Sequence, residues 1–596
     1  MNHLDTLITD HLDLWSAAVR PKSSAGRGSN SKLELTGIKK LRELILELAV
    51  RGKLVPQDPS DEPASVLLEH IAAEKARLVK EGKIKKPKAL PEIGEEDKPF
   101  ELPEGWEWCR LDELSLTSEA GWSPQCDNSP RKNEQWGVLK VSAVTWGKFL
   151  AEENKALPEP LEPKPEYEVL PGDFLISRAN TAELVARAVI APANTPCKLM
   201  MSDKIIRFRF SHFVNSSYIC LANGSCTSRE YYSRVAGGTS SSMKNVSRLQ
   251  IQNLVIALPP LSEQKRILDN CEKLMALCDQ LEQRSESQLA AHQTLVETLL
   301  ATLTESTDAD KLAQNWARLS THFDTLFTTE ASIDVLKQTI LQLAVMGKLV
   351  PQDPSDEPAS ALLARIAAEK AQLVKEKKIK KEKPLPAISE NEKPFELPQG
   401  WEWVRLGSLY SFLNGFAFKS EWFQNDGVKL LRNINIAHGN TKWEEQVCIP
   451  EHMATDYEKY NLTLGDIVIS LDRPIINTGL KYAVIEQSDL PCLLLQRVAK
   501  FHHFLNVVEP MYLSLWLQSP LFISAVDPGR SNGVPHISTK QLEAMAFPLC
   551  SLDEQKKIIA RVDELMTLCD QLKSRLQTSQ QTQLALAESL VEGALA

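Results

Sequence analysis

With 596 residues, 43% apolar and 24% charged, the chain is too long for one hydrophobic core and reads as a soluble protein of several domains, about four by length. A net charge of −10 argues against a protein that simply coats nucleic acid, though it leaves room for a local basic groove. Eleven cysteines, an odd number with no pairs at zinc spacing, argue against a disulfide framework or zinc site and predict free, mostly buried thiols in a reducing compartment.

Residues 1–35 read as a short N-terminal helix and a flexible linker, PKSSAGRGSNSK. Asp5, Asp10 and Asp13 stand where a secretory signal would be basic, and no run reaches the roughly 18 to 20 uncharged residues that cross a bilayer, so the expected location is the cytoplasm. Residues 36–105 form a frame block. It has a helix ending at Gly52, the loop GKLVPQDPSDEP at 52–63, a second helix, and the Lys-rich linker KEGKIKKPK.

Residues 106–260 change texture to short Val/Ile/Leu strands with Pro and Gly turns, such as GVLKVSAVTWGKF and GDFLISRAN, which predicts an α/β domain dominated by sheet. Residues 261–330 open on a long helix, with Ser262 as its expected N-cap and a heptad seam through Ile267, Cys271, Leu274, Cys278, Leu281, Ser285, Gln288, His292, Leu295 and Leu299. At that length it spans on the order of 60 Å and reads as a rigid spacer. His292 and the paired Cys278 and Cys569 are read as seam packing residues.

Residues 331–400 then repeat the frame. Positions 336–406 match 41–111 at 53 of 71, and the twelve-residue loop recurs unchanged at 347–358. Residues 401–550 form a second insert that shares little with the first beyond GDIVIS at 465–470, and residues 551–596 repeat the long helix, with Asp553 as the expected cap. Frames kept alike around inserts left free to differ imply one job done twice and two versions of a related job.

No P-loop, cofactor-binding glycine loop, Asn-Pro-Pro motif or nucleophile–base arrangement is present, and the acidic cluster at 95–98 lies in a linker. No catalytic or metal-ligating residue is assigned, and the chain reads as a binder. Residues 174–250 hold ten Lys/Arg against three Asp/Glu, the kind of patch that phosphate contacts need. Base-reading candidates there are Arg178 and Asn180 of RAN, and Ser240, Ser241, Lys244 and Asn245 of GGTSSSMKN. In the second insert, where residues 459–549 carry seven charges of each sign, the candidates are Arg432, Asn433, Asn435, Arg473, Arg530, Asn532 and His536. The repeated loop offers Gln57, Asp58 and Asp61, and Gln352, Asp353 and Asp356, as a partner-docking surface used twice.

Two variable inserts, each opened by W-E-W-x-R-L, each carrying G-D-hydrophobic-I-S, and each closed by P-L-S-E-Q-K-R-I or S-L-D-E-Q-K-K-I, resemble the specificity subunit of type I restriction-modification systems over residues 36–596. The long repeated frame looks like one of its enteric subfamilies. The resemblance implies an α+β fold: two α/β target recognition domains alternating with two long-helix, antiparallel coiled-coil frames in a pseudo-two-fold arrangement. It also implies that each insert reads half of a split, asymmetric double-stranded DNA site, while the frames dock two modification (methyltransferase) subunits and the restriction (motor/nuclease) subunits. Adenine methylation and ATP-driven cleavage would occur on those chains, with S-adenosylmethionine, ATP and Mg expected there and no cofactor on this one. The competing reading is a non-catalytic coiled-coil scaffold whose inserts bind other proteins.

Overall fold

The computed structural model describes residues 10–21, 33–86, 90–132, 134–145, 147–238, 243–306, 309–377, 384–476, 479–526 and 536–595. They fall into two compact units. One contains residues 10–21, 33–287 and 580–595, and the other the described residues of 288–579.

In the first unit, helix Thr36–Val50 buries Ile38, Leu41, Leu44, Ile45 and Leu48 at helical spacing. It stops at Gly52, whose φ of +67° places it in the left-handed region, and a Cβ there would lie 2.4 Å from Pro103 Cγ. After helix Ala64–Lys80, strand Glu107–Arg110 pairs antiparallel with Val255–Leu258, so the entry and exit of the insert are stitched together. Between them lies an antiparallel sheet in the order Ser115–Ala120, Ile205–Phe210, Phe174–Ser177, Ala188–Ile190. A second sheet sets Gly137–Leu139 between Leu199–Met200 and Asn154–Ala156. Leu139, Val144, Leu175, Val189, Leu199 and Ile205 form the core between them.

The second unit repeats this plan on unlike sequence. Strands Tyr410–Asn414, Val498–His503, Ile467–Ser470 and Tyr482–Val484 follow the same order, with His438–Gly439 added at the edge. Val428–Leu431 again lies between two short strands, and Glu402–Arg405 pairs with Ala546–Leu549. The Gly-Asp of each shared motif has a structural use. Asp173 accepts a hydrogen bond from buried Arg207 at 2.8 Å, and Asp466 one from Lys500 at 2.5 Å, in each case across from the neighbouring strand.

The duplicated loop locks each frame. Gln57 Nε2 donates to the Gly52 carbonyl at 2.6 Å and to Glu263 Oε1 at 3.1 Å, while the Trp106 indole donates to Glu263 Oε2 at 3.0 Å. Gln352, Gly347, Glu554 and Trp401 repeat the set at 2.6, 3.2 and 2.9 Å. The Gln that follows each Glu ties the insert instead: Gln264 Oε1 accepts from the Asn215 amide, and Gln555 Oε1 from the Glu509 amide.

Two expectations about the long helices are corrected. Helices Leu261–Thr304 and Leu552–Leu595 begin before Ser262 and Asp553, which lie inside the first turn; Ser551 is the residue whose hydroxyl caps, accepting from Glu554 N at 3.0 Å. The heptad seam holds only through Ser285. Beyond it Val296, Leu300 and Leu303 are buried, whereas Leu295 is 51% exposed, and Ala587 replaces exposed Leu586 in the second helix. A straight helix of 3.6 residues per turn drifts off a 3.5 repeat, so the buried stripe migrates around it. His292 Nε2 lies 3.2 Å from the Thr325 carbonyl, as a packing residue would.

Candidate nucleic-acid interface

Strand Phe174–Ser177 runs on into Ala179–Asn180, which pairs antiparallel with Lys244–Asn245. Backbone bonds fix this ribbon: Arg178 N donates to the Lys204 carbonyl and Val246 N to the Arg178 carbonyl, each at 2.9 Å. Ser247 then caps the short helix Arg248–Gln252 in a capping box with Gln250. Four candidates from separate stretches, Arg178, Asn180, Lys244 and Asn245, therefore share one ribbon. Asn180 is braced, its amide donating to Thr145 Oγ1 at 3.2 Å and its carbonyl accepting from Thr181 N at 2.8 Å. Ser240 and Ser241 lie outside the described residues.

The basic excess is smaller at the surface than in the sequence. Arg207, 2% exposed, is held by Asp173, Glu119 and the carbonyls of Glu166 and Glu168. Arg229 donates to the carbonyls of Glu183 and Val185, and burial pulls its pKa down to about 10. Exposed Lys204 stands directly behind the ribbon, unselected by any motif.

The second unit builds the same platform. Leu471 N donates to the Arg497 carbonyl at 2.8 Å, Ile537 N donates to the Leu471 carbonyl at 3.0 Å, and Asp472 bridges His536 where Ala179 pairs Asn245. Ser538 caps Thr539–Ala544 in a box with Gln541, as Ser247 does with Gln250. Arg473, at φ +48°, is exposed, and His536 Nδ1 lies 2.9 Å from Asp472 Oδ1. Arg497 NH1 donates to Asp472 Oδ2 at 2.7 Å. Buried Lys481 is held below the usual lysine range by desolvation, partly offset by Asp472. Asp472 and Arg497 emerge as members only when GDIVIS is laid over GDFLIS and the pairing across the sheet is known.

The other candidates separate. Arg432 and half-buried Asn433 lie on the turn that opens the segment Asn433–Asn435, away from the ribbon in sequence and pairing. Asn435 is corrected to a structural role: at 1% exposure, its amide donates to the carbonyls of Lys442 at 2.9 Å and Glu445 at 3.2 Å, leaving nothing to offer a base. Arg530 and Asn532 lie outside the described residues.

The loop residues are likewise engaged within their own units. Besides the Gln57 and Gln352 locks, Asp61 pairs with Arg266 at 2.6 Å, and Asp356 accepts from Ser551 at 3.2 Å and Lys557 at 3.4 Å. Asp58 and Asp353 each close a turn by accepting from the amide and hydroxyl of the Ser two residues on. A lock needed twice accounts for part of their duplication: Gln57, Asp61, Gln352 and Asp356, read as docking groups, each bond within the frame, and Gln57 and Gln352 remain exposed. Among the described residues no cluster of three or more His, Cys, Asp or Glu could hold a metal, and no helix is long and apolar enough to cross a membrane.

A family described as the type I restriction modification DNA specificity domain matches residues 103–291 and again 398–579. The chain is 56% identical over 595 residues to the type I restriction enzyme EcoAI specificity subunit of Escherichia coli, covering 99% of this chain and 100% of that one. The chain belongs to the specificity subunits of type I restriction-modification systems. This specificity subunit is also 43% identical to the EcoEI specificity subunit of Escherichia coli, over 99% of this chain and 100% of that one. Among solved structures it is similar to the HsdS subunit from Thermoanaerobacter tengcongensis, with a TM-score of 0.41 and 17% identity over 83% of this chain and 98% of that one.

Proposed function

We propose that this specificity subunit is the DNA-reading, non-catalytic member of its complex. Residues 106–260 and 401–550 are target recognition domains, each addressing one half of a split, asymmetric duplex site. The frames dock two modification subunits and the restriction subunits, and S-adenosylmethionine, ATP and Mg belong to those partners.

One observation carries the reading: the same ribbon and capped helix occur once per unit, on unlike sequence and with different side chains. One bears Arg178, Asn180, Lys244 and Asn245, the other Asp472, Arg473 and His536. A fixed backbone with varied polar tips is what reading two base sequences through one docking geometry requires. Near-identical frames in turn suit two copies of one partner.

The test maps methylated adenines across a genome carrying the intact system, then repeats the map after residues 106–260 are exchanged for another insert. The expected result is a split motif in which one half changes and the other persists. A motif unchanged by the exchange, or changed throughout, would refute the division of labour, and an assembled complex without affinity for duplex DNA at moderate salt would favour a protein-binding scaffold.

A further inference from the structure

In the second unit one carboxylate sits among basic groups. Asp472 is buried; Arg497 donates to its Oδ2, and His536 Nδ1 lies within ion-pair distance of its Oδ1 without the alignment of a hydrogen bond. Lys481 and Arg473 add positive charge around it. On a surface meant to meet phosphates, a carboxylate opposes approach unless it has another use.

The use visible here is orientation. The Arg497 side chain is 64% exposed, and its backbone sits in the left-handed region at φ +73°. The bond from NH1 to Asp472 anchors one nitrogen of the guanidinium, while among the described residues the remaining side-chain donors make no hydrogen bond. A fixed, planar fork of donors matches the N7 and O6 acceptors that guanine displays in the major groove.

The first unit provides the contrast. Ala179 stands at the place of Asp472 and Lys204 at that of Arg497, so the matching position carries a flexible point charge that no carboxylate among the described residues pairs with.

We propose that Arg497, positioned by Asp472, reads a guanine in the half-site addressed by residues 401–550, and that Lys204 makes a phosphate contact at the matching place in the first module. This rests on the DNA-reading function proposed above.

The test uses the full chain assembled with its modification subunits, a methylation map, and binding to duplexes in which each base pair of the motif is replaced in turn. Arg497→Ala should lose roughly 10- to 100-fold of discrimination at one G·C pair, with every other position unchanged. Arg497→Lys should keep overall affinity but relax the same pair. Asp472→Asn should relax that pair too while binding non-specific DNA more tightly, a pairing of effects that mere loss of structure would not give. Lys204→Ala should weaken all duplexes alike and reduce the salt dependence by about one ion.

Arg497→Ala that weakens every sequence equally, or changes nothing, would overturn the assignment of Arg497. Relaxation of a base by Lys204→Ala would overturn that of Lys204. Should Asp472→Asn fail to fold, the exposed Arg497→Lys variant still decides. If the wild-type complex itself discriminates no sequence, the DNA-reading function has failed rather than this assignment.

Discussion

Glu263 and Glu554 are carboxylates sealed beneath a Trp and a Gln, and burial is the largest influence on each, pushing both pKa values up against hydrogen bonds that favour the charged form. A carboxyl raised in the folded state contributes stability that is fully present below its ordinary value of about 4.5 and is lost as pH rises through the elevated folded value. Glu263→Gln and Glu554→Gln remove that titration. The stability gap between wild type and either variant should therefore move in favour of wild type as pH falls from about 7 toward about 5, measured by thermal melting. Gly52 and Gly347 are equally constrained. Alanine at either must adopt a left-handed conformation at a cost of about 1–2 kcal/mol and push its Cβ against Pro103 or Pro398, so denaturant unfolding should show at least that loss. Arg207→Ala should cost about 3–5 kcal/mol, because it strands buried Asp173 without its cation; calorimetry would register this as a folding defect rather than a change of DNA motif.

At the scale of elements, the repeated blocks are legible in the sequence alone, because near-identical stretches at a fixed spacing repeat the same local structure. Helix ends at Gly52 and Gly347 were legible for the same reason: a glycine after an apolar stripe fits the left-handed position. The ribbon was half legible. Short polar loops marked Arg178, Asn180, Lys244 and Asn245, but Lys204, Asp472 and Arg497 join through pairing across a sheet, which no local pattern encodes. Asn435 misled because an Asn on a turn looks the same in sequence whether its amide faces solvent or two carbonyls. The heptad reading failed where the polar middle of the helix gave no apolar residues to keep the phase. That failure can be measured: Leu300→Ala should cost about 2–5 kcal/mol by denaturant unfolding, while Leu295→Ala stays within about 0.5 kcal/mol, the reverse of what an unbroken seam requires.

At the scale of the whole molecule, the seams between frame and insert matter more than the inserts' interiors. Each insert is stitched at its base by an antiparallel pair, Glu107–Arg110 with Val255–Leu258 or Glu402–Arg405 with Ala546–Leu549. Each is clamped by an arginine of W-E-W-x-R-L. Arg110 donates to the carbonyls of Pro91, Glu92 and Asn253, and Arg405 to those of Pro386, Ala387 and Ala544. Each is tied to its long helix by the Gln of the E-Q pair. Because these contacts use the same residue types at matching places, a chain in which residues 106–259 and 401–550 trade positions keeps each of them. The exchanged chain should therefore fold with a melting transition within a few degrees of wild type, and a methylation map should recover both half-motifs. Glu47 offers the sharpest threat to that outcome. It accepts from the Thr227 amide and hydroxyl at 3.0 and 3.1 Å, whereas the matching frame position, 295 residues on, is Gln342. A loss of stability in the exchanged chain that is restored by Gln342→Glu would locate the asymmetry of the two frames in that one contact.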